Sequence, residues 1–130
     1  MTNPFTLHEA SITLTIGNIT HMLRSYLACS WLDHVIFPYG FHGPRQRIWE
    51  TVVSDIQDLS HVFVPITLTC DENENVARMT SDGRDDSRIK RALSVRHIYD
   101  ELRYPKLDTT GLTIDQTADW VISLVNDRTR

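Results

Sequence analysis

The stretch Val62–Thr110, VFVPITLTCDENENVARMTSDGRDDSRIKRALSVRHIYDELRYPKLDTT, decides how the chain is read. It divides into a strand, a helix, an arginine-rich segment, a second helix and a short strand. Pro65 cannot donate to a ladder, so the first strand begins after it, in Ile66-Thr67-Leu68-Thr69-Cys70. Asp71 is a good N-cap, and Glu74 three residues on completes a capping-box-like arrangement for a helix to about Thr80. Ser81-Asp82-Gly83 breaks that helix. The next starts around Asp85 to Ser87, turns Ile89, Ala92, Leu93, Tyr99 and Leu102 inward, and ends at Arg103-Tyr104-Pro105. Lys106 to Thr110 leaves room only for a very short strand. Strands separated by helices favour parallel pairing through right-handed crossovers, so this stretch reads as an α/β crossover.

On the N-terminal side, residues 6 to 29 carry two patterns. Ile12, Ile16, Ile19, Leu23 and Leu27 recur at helical steps, whereas Ile12, Leu14 and Ile16 alternate like a half-buried strand. The helical pattern persists for four turns, which no strand matches in length, and predicts a helix. Leu32 to Pro38 is a short apolar run ending in Pro-Tyr-Gly-Phe-His-Gly-Pro, and predicts a buried strand entering a loop. Pro44 suits the first position of a helix over 44 to 59, whose stripe is Ile48, Trp49, Val52, Val53, Ile56 and Leu59. Arg45 and Arg47 sit in its first turn, where the helix dipole prefers acids, so either an anion is near or the pair is simply solvated. On the C-terminal side, Thr113-Ile-Asp-Gln116 is a capping-box pattern opening a helix with Ala118, Val121, Ile122 and Val125 as its core face, frayed after Asn126.

The fold class expected is therefore α/β, a three-layer parallel sheet with flanking helices. At 130 residues and 15.0 kDa the chain predicts a single domain, 1–130, with no internal repeat and no linker. A net charge of −4 offers no general attraction for nucleic acid or anionic membrane, so any positive site is local. No long apolar run signals secretion or membrane spanning, which makes cytoplasmic the expected location. Cys29 and Cys70 lack CxxC spacing, and the six histidines form no HExxH or i, i+4 pair, so neither a redox pair nor a zinc site is expected.

The chemistry suggested by the stretch lies in its arginines. Arg84, Arg88 and Arg91 fall at i, i+4 and i+7, with Arg78 before the break and Lys90 beside them. Guanidinium groups grip phosphate oxygens in a bidentate manner and keep their charge. Against this stands a plain solvated face, with Asp82, Asp85, Asp86, Asp100 and Glu101 neutralising the arginines. Asp33 and Asp71 could serve as bases but read equally as caps.

The order ITLTCDENENVARM, SDGRDDSRIKRAL and KLDTTGLTIDQTADWVISLV resembles the C-terminal part of P-loop kinase-like proteins, the small nucleotide-kinase-like ATPases of the tunicamycin-resistance group. The similarity reaches back through Leu32–Pro38. The resemblance implies ATP and magnesium as cofactors and a small-molecule phosphate acceptor. Carried over by position, it implies a lid over about 78–91 with Arg84 and Arg88 as its catalytic residues. Arg78 and Arg91 join them on the phosphates, and Thr109, Thr110 and Gly111 form the loop beside adenine. Tyr39, Gly40 and Phe41 would present the substrate.

One departure bears on all of this. The family opens with a strand and GxxxxGK[ST], whose backbone N–H groups and lysine cradle phosphate. None of this chain's five glycines, at 17, 40, 43, 83 and 111, lies in a GK[ST] context. The central P-loop strand is therefore absent from the expected sheet. Loss of roughly 30 to 50 residues, about one strand-loop-helix unit or somewhat more, explains this with no rearrangement and is the expected case. Otherwise Leu32–Pro38 pairs directly with Ile66–Cys70, or Ser11–Ile16 supplies a strand. The functional expectation is an ATP-binding, kinase-like phosphotransferase, truncated and inactive by itself. The alternatives are a non-enzymatic interaction or oligomerisation domain, and an anion-binding module without transfer chemistry.

Overall fold

The computed structural model describes residues 8–129, and these residues form six helices and one two-stranded sheet. The chain divides into two compact units, Met1–His61 and Val62–Arg130.

In the first unit α1 spans Glu9–Leu27 and α2 spans Arg45–Asp55. Helix α1 settles the ambiguous segment: Ser11–Ile16 is helical and supplies no strand. Thr6 and Leu7, where that helix was expected to begin, lie outside the described residues. The two helices pack together and bury Ile12 and Leu23 of α1 with Ile48, Trp49 and Val52 of α2 and Ile56 beyond it. Ion pairs fix their direction. Arg47 Nη2 at the start of α2 meets Glu9 Oε1 at the start of α1 at 3.0 Å. Arg24 near the end of α1 grips both oxygens of Asp58 at 2.6 and 2.9 Å and donates to the Asp55 carbonyl that ends α2. Start therefore meets start and end meets end, so the helices run the same way and residues 28–44 bring the chain back.

The returning segment corrects the expected strand at Leu32–Pro38. It is extended and alternates like a strand, with Val35, Phe37, Tyr39 and Phe41 covered and Ile36 87% exposed, but it joins no ladder. Its inward rings stack instead. Phe37 lies 5.6 Å and Tyr39 5.4 Å from the Trp49 ring, and Phe41 meets Tyr39 edge-on at 5.3 Å. Aromatic packing on α2 satisfies the apolar pattern, and the pattern alone cannot distinguish that from pairing.

In the second unit β1 (Thr67–Thr69) and β2 (Lys106–Asp108) pair in parallel, in the register Thr67↔Lys106, Leu68↔Leu107 and Thr69↔Asp108. Between them lie α3 (Glu72–Ser81), α4 (Asp86–Ser94) and α5 (Arg96–Glu101), and α6 (Ile114–Arg128) follows β2. The three-layer parallel sheet is thus overturned: the described residues are mostly helical, and two strands are all the sheet they contain. The parallel pairing of the two short strands, with helices between them, agrees with the expectation. The single helix expected after Asp85 is two, divided at Val95, whose backbone leaves the helical bond pattern. Helix α6 continues to Arg128 rather than fraying after Asn126.

Local chemistry sets the helix ends. Asp71 accepts from Glu74 N at 2.7 Å, but the Glu74 carboxylate turns to Arg78, so only half of the capping box forms. Gly83, at φ +79°, ends α3 by donating to Thr80 O, while Arg84 N donates to Met79 O. That pair of bonds is a Schellman motif, which needs the left-handed residue that glycine provides without strain. The Thr113/Gln116 box of α6 is complete. The core face expected on α6 is turned: Thr117, Val121, Leu124 and Val125 are half-buried, whereas Ala118 and Ile122 are exposed.

Ile48 has no exposed surface, and truncating such a side chain leaves a cavity that packing only partly closes. Ile48→Ala is expected to destabilise the first unit by about 2–5 kcal/mol, read by urea unfolding with tryptophan fluorescence. A loss below about 1 kcal/mol would show that Ile48 is not part of a packed core.

Candidate functional site

The carboxyl ends of β1 and β2 are where a parallel pair gathers its loops, and where ligands of open α/β sheets bind. Cys70 and Asp71 leave β1; Thr109, Thr110 and Gly111 leave β2. A knot of polar bonds joins them. Thr109, 5% exposed, donates through its backbone N–H and its hydroxyl to the Thr69 carbonyl at 2.7 and 2.8 Å. Arg78, in the last turn of α3, answers from the other side, donating to the Thr109 hydroxyl at 2.8 Å and its carbonyl at 2.7 Å. The same guanidinium pairs with Glu74 at 3.1 Å.

The Thr110 hydroxyl accepts from Asp71 N at 2.8 Å and donates to Asp108 Oδ1 at 2.7 Å. Gly111, at φ +75°, then closes a turn in which Leu112 N donates to Thr109 O. Hydrogen bonds from the Thr110 hydroxyl and backbone, and after them the charge of Arg78, hold the Asp108 carboxyl below its ordinary range. Across the sheet, Arg96 at the start of α5 donates through Nη2 to the Cys70 carbonyl at 2.9 Å.

The expected site residues fall into three groups. Thr109, Thr110, Gly111 and Arg78 come together here. Because the hydroxyls of both threonines and most of the Arg78 donors are engaged within the protein, what Thr109–Gly111 turns outward is a fixed loop rather than free hydroxyl groups. Arg84, Arg88 and Arg91 lie on the α3–α4 hairpin. Arg84 precedes the Asp85 N-cap, so the shared helical face holds only Arg88 and Arg91. Arg84 approaches Asp82 at 3.8 Å, while the exposed guanidinium groups of Arg88 and Arg91 form no ion pair among the described residues.

Tyr39, Gly40 and Phe41 belong to the first unit. There Tyr39 is a packing residue: its ring stacks in the aromatic cluster and its hydroxyl donates to Arg45 O at 2.7 Å. Burial raises its phenol, while burial and the charge of Arg45 lower the His42 imidazole. Of the first-turn pair of α2, Arg47 is answered by Glu9. Asp71, weighed as a base, serves as an N-cap.

Sequence reasoning passed over Arg96. Its contact joins residues 26 positions apart, and no local pattern marks it.

Models of known families, curated proteins and solved structures all fail to match this chain. The kinase-like resemblance therefore gains no support from these comparisons. Among the described residues no three His, Cys, Asp or Glu side chains gather to hold a metal ion. No described helix is long and apolar enough to cross a membrane.

The depressed Asp108 carboxyl sets the sign of a pH effect. Ionised Asp108 contributes stability above the ordinary Asp value of about 4, and that contribution is lost as pH falls through its lower folded value. Asp108→Asn should therefore lower the melting temperature at pH 7, with the difference shrinking below about pH 4. An equal difference at pH 7 and pH 3 would remove the carboxylate from this role.

Proposed function

We propose that the chain is a nucleotide-binding, kinase-like protein of the cytoplasm whose second unit holds the phosphate groups of ATP. The observation that carries this reading is the imbalance of charge on the α3–α4 hairpin. Arg88 and Arg91 are exposed with no acid partner among the described residues, and Arg84 has only a 3.8 Å approach to Asp82. Guanidinium groups in this state are available to bind anions and incur little cost in giving up a partner. The hairpin hinges on a glycine turn and stands in sequence between the two strands whose ends carry the polar knot. ATP would lay its phosphates along the arginines and its base against the fixed loop Thr109–Gly111.

Phosphoryl transfer is chiefly positioning and charge stabilisation. In this reading Arg84 and Arg88 supply charge to the transferred group, and the acceptor is a small molecule. The chain's glycines include none placed to cradle phosphate with a following lysine, so these residues bind nucleotide and do not by themselves turn it over.

Arg88→Ala should weaken ATP binding by about tenfold in calorimetry, the loss of one charge-assisted contact, with the melting temperature unchanged because the side chain is exposed. An unchanged affinity would remove the lid assignment.

A second reading draws on a different observation. Thr67 and Thr69 turn their backbone groups toward β2, so Leu68 turns its own the other way. Leu68 is 54% exposed and no described strand pairs there. Such an edge is a template for association, which would make the protein a non-enzymatic interaction domain and a homo-oligomer. Light scattering decides it: an assembly that ignores ATP supports this reading, and a monomer at all concentrations counts against it.

A further inference from the structure

We infer that Arg96 is a second ligand-binding residue at the strand ends, its guanidinium gripping a phosphate group of the nucleotide proposed above, on which reading the inference rests. Four observations converge. Arg96 Nη2 donates to the Cys70 carbonyl at 2.9 Å, which sets the guanidinium at the carboxyl end of β1. Arg78 is set in the same way at the carboxyl end of β2, against the Thr109 carbonyl at 2.7 Å. The two strands thus end on two anchored cations, in the place where parallel sheets receive ligands.

Arg96 is also half-buried, and a neutral carbonyl is its one partner among the described residues. The other described arginines of the second unit differ: Arg78 has Glu74, Arg84 has Asp82, and Arg88, Arg91, Arg103 and Arg128 stand in solvent. A guanidinium carries five N–H donors, and withdrawing its charge from water without an anion is unfavourable. One donor is engaged here, and the remainder of the fork is available to an anion. Because the carbonyl orients the group beforehand, a phosphate would meet a fixed fork rather than a mobile side chain, which lowers the ordering cost of binding.

A purely structural Arg96, tying α5 to β1, would not respond to ligand. The experiment is calorimetry on the full chain with ATP and with inorganic tripolyphosphate, for wild type, Arg96→Gln and Arg96→Lys. Wild type is expected to bind both, and Arg96→Gln to weaken both by about tenfold to a hundredfold. Arg96→Lys is expected to recover part of the loss, since an ammonium keeps the charge and not the fork. Wild-type binding with an unchanged Arg96→Gln affinity would overturn the role of Arg96 and leave the nucleotide reading standing. Failure of wild type to bind either probe would overturn both.

If Arg96→Gln does not fold, the wild-type protein still decides. Arginine modification by phenylglyoxal, read by peptide mass, is expected to spare Arg96 and not Arg103 when ATP is saturating. Equal modification of Arg96 with and without ATP would overturn the inference.

Discussion

The bond between Arg78 and Thr109 is the constraint on which the second unit depends. A parallel pair with three residues in each strand forms few ladder bonds, and two strands alone are marginal in water. The connection between them is long, so the ends must be held by something other than the ladder. Arg78 does this by leaving α3 and taking both the hydroxyl and the carbonyl of Thr109, whose hydroxyl in turn donates to Thr69. Removing the Thr109 hydroxyl would take away the acceptor of Arg78 Nη1, while the Thr69 carbonyl would keep the Thr109 backbone N–H. The knot thereby replaces apolar core. Buried apolar side chains in this unit are few, Met79 and Leu102 among them, and the two buried threonines carry the rest.

In the first unit the balance is the opposite. Parallel helices α1 and α2 bury a continuous apolar seam, and the exposed pairs Arg47–Glu9 and Arg24–Asp58 set their direction more than their stability, since such pairs are worth little in water. The extended return is held by rings on Trp49 rather than by a ladder. Side-chain packing and backbone pairing are alternative ways of satisfying the same alternation of apolar residues.

Both units leave apolar surface in water. Trp31 and Ile36 in the first, and Leu68, Ile114, Trp120 and Ile122 in the second, are more than half exposed. In the second unit the helices offer cations more freely than they offer apolar cover.

Sequence alone determined the local elements. Helical spacing over Ile12–Leu27, the Asp71 and Asp85 caps, the Gly83 break, the Thr113/Gln116 box and the two short strands are readable because each rests on residues within a few positions of one another. The sheet was misjudged for the converse reason: whether Leu32–Pro38 pairs or stacks depends on Trp49, and pairing is a property of two segments. The arginines divide in the same way. Their clustering and charge are visible in the stretch from Arg78 to Arg91, but which of them is engaged is not, because the partners of Arg78 and Arg96 are Thr109 and Cys70, 31 and 26 positions away. Only the crossover brings those carbonyls within reach of a guanidinium, so tertiary structure decided which arginines are anchored and which stand in solvent.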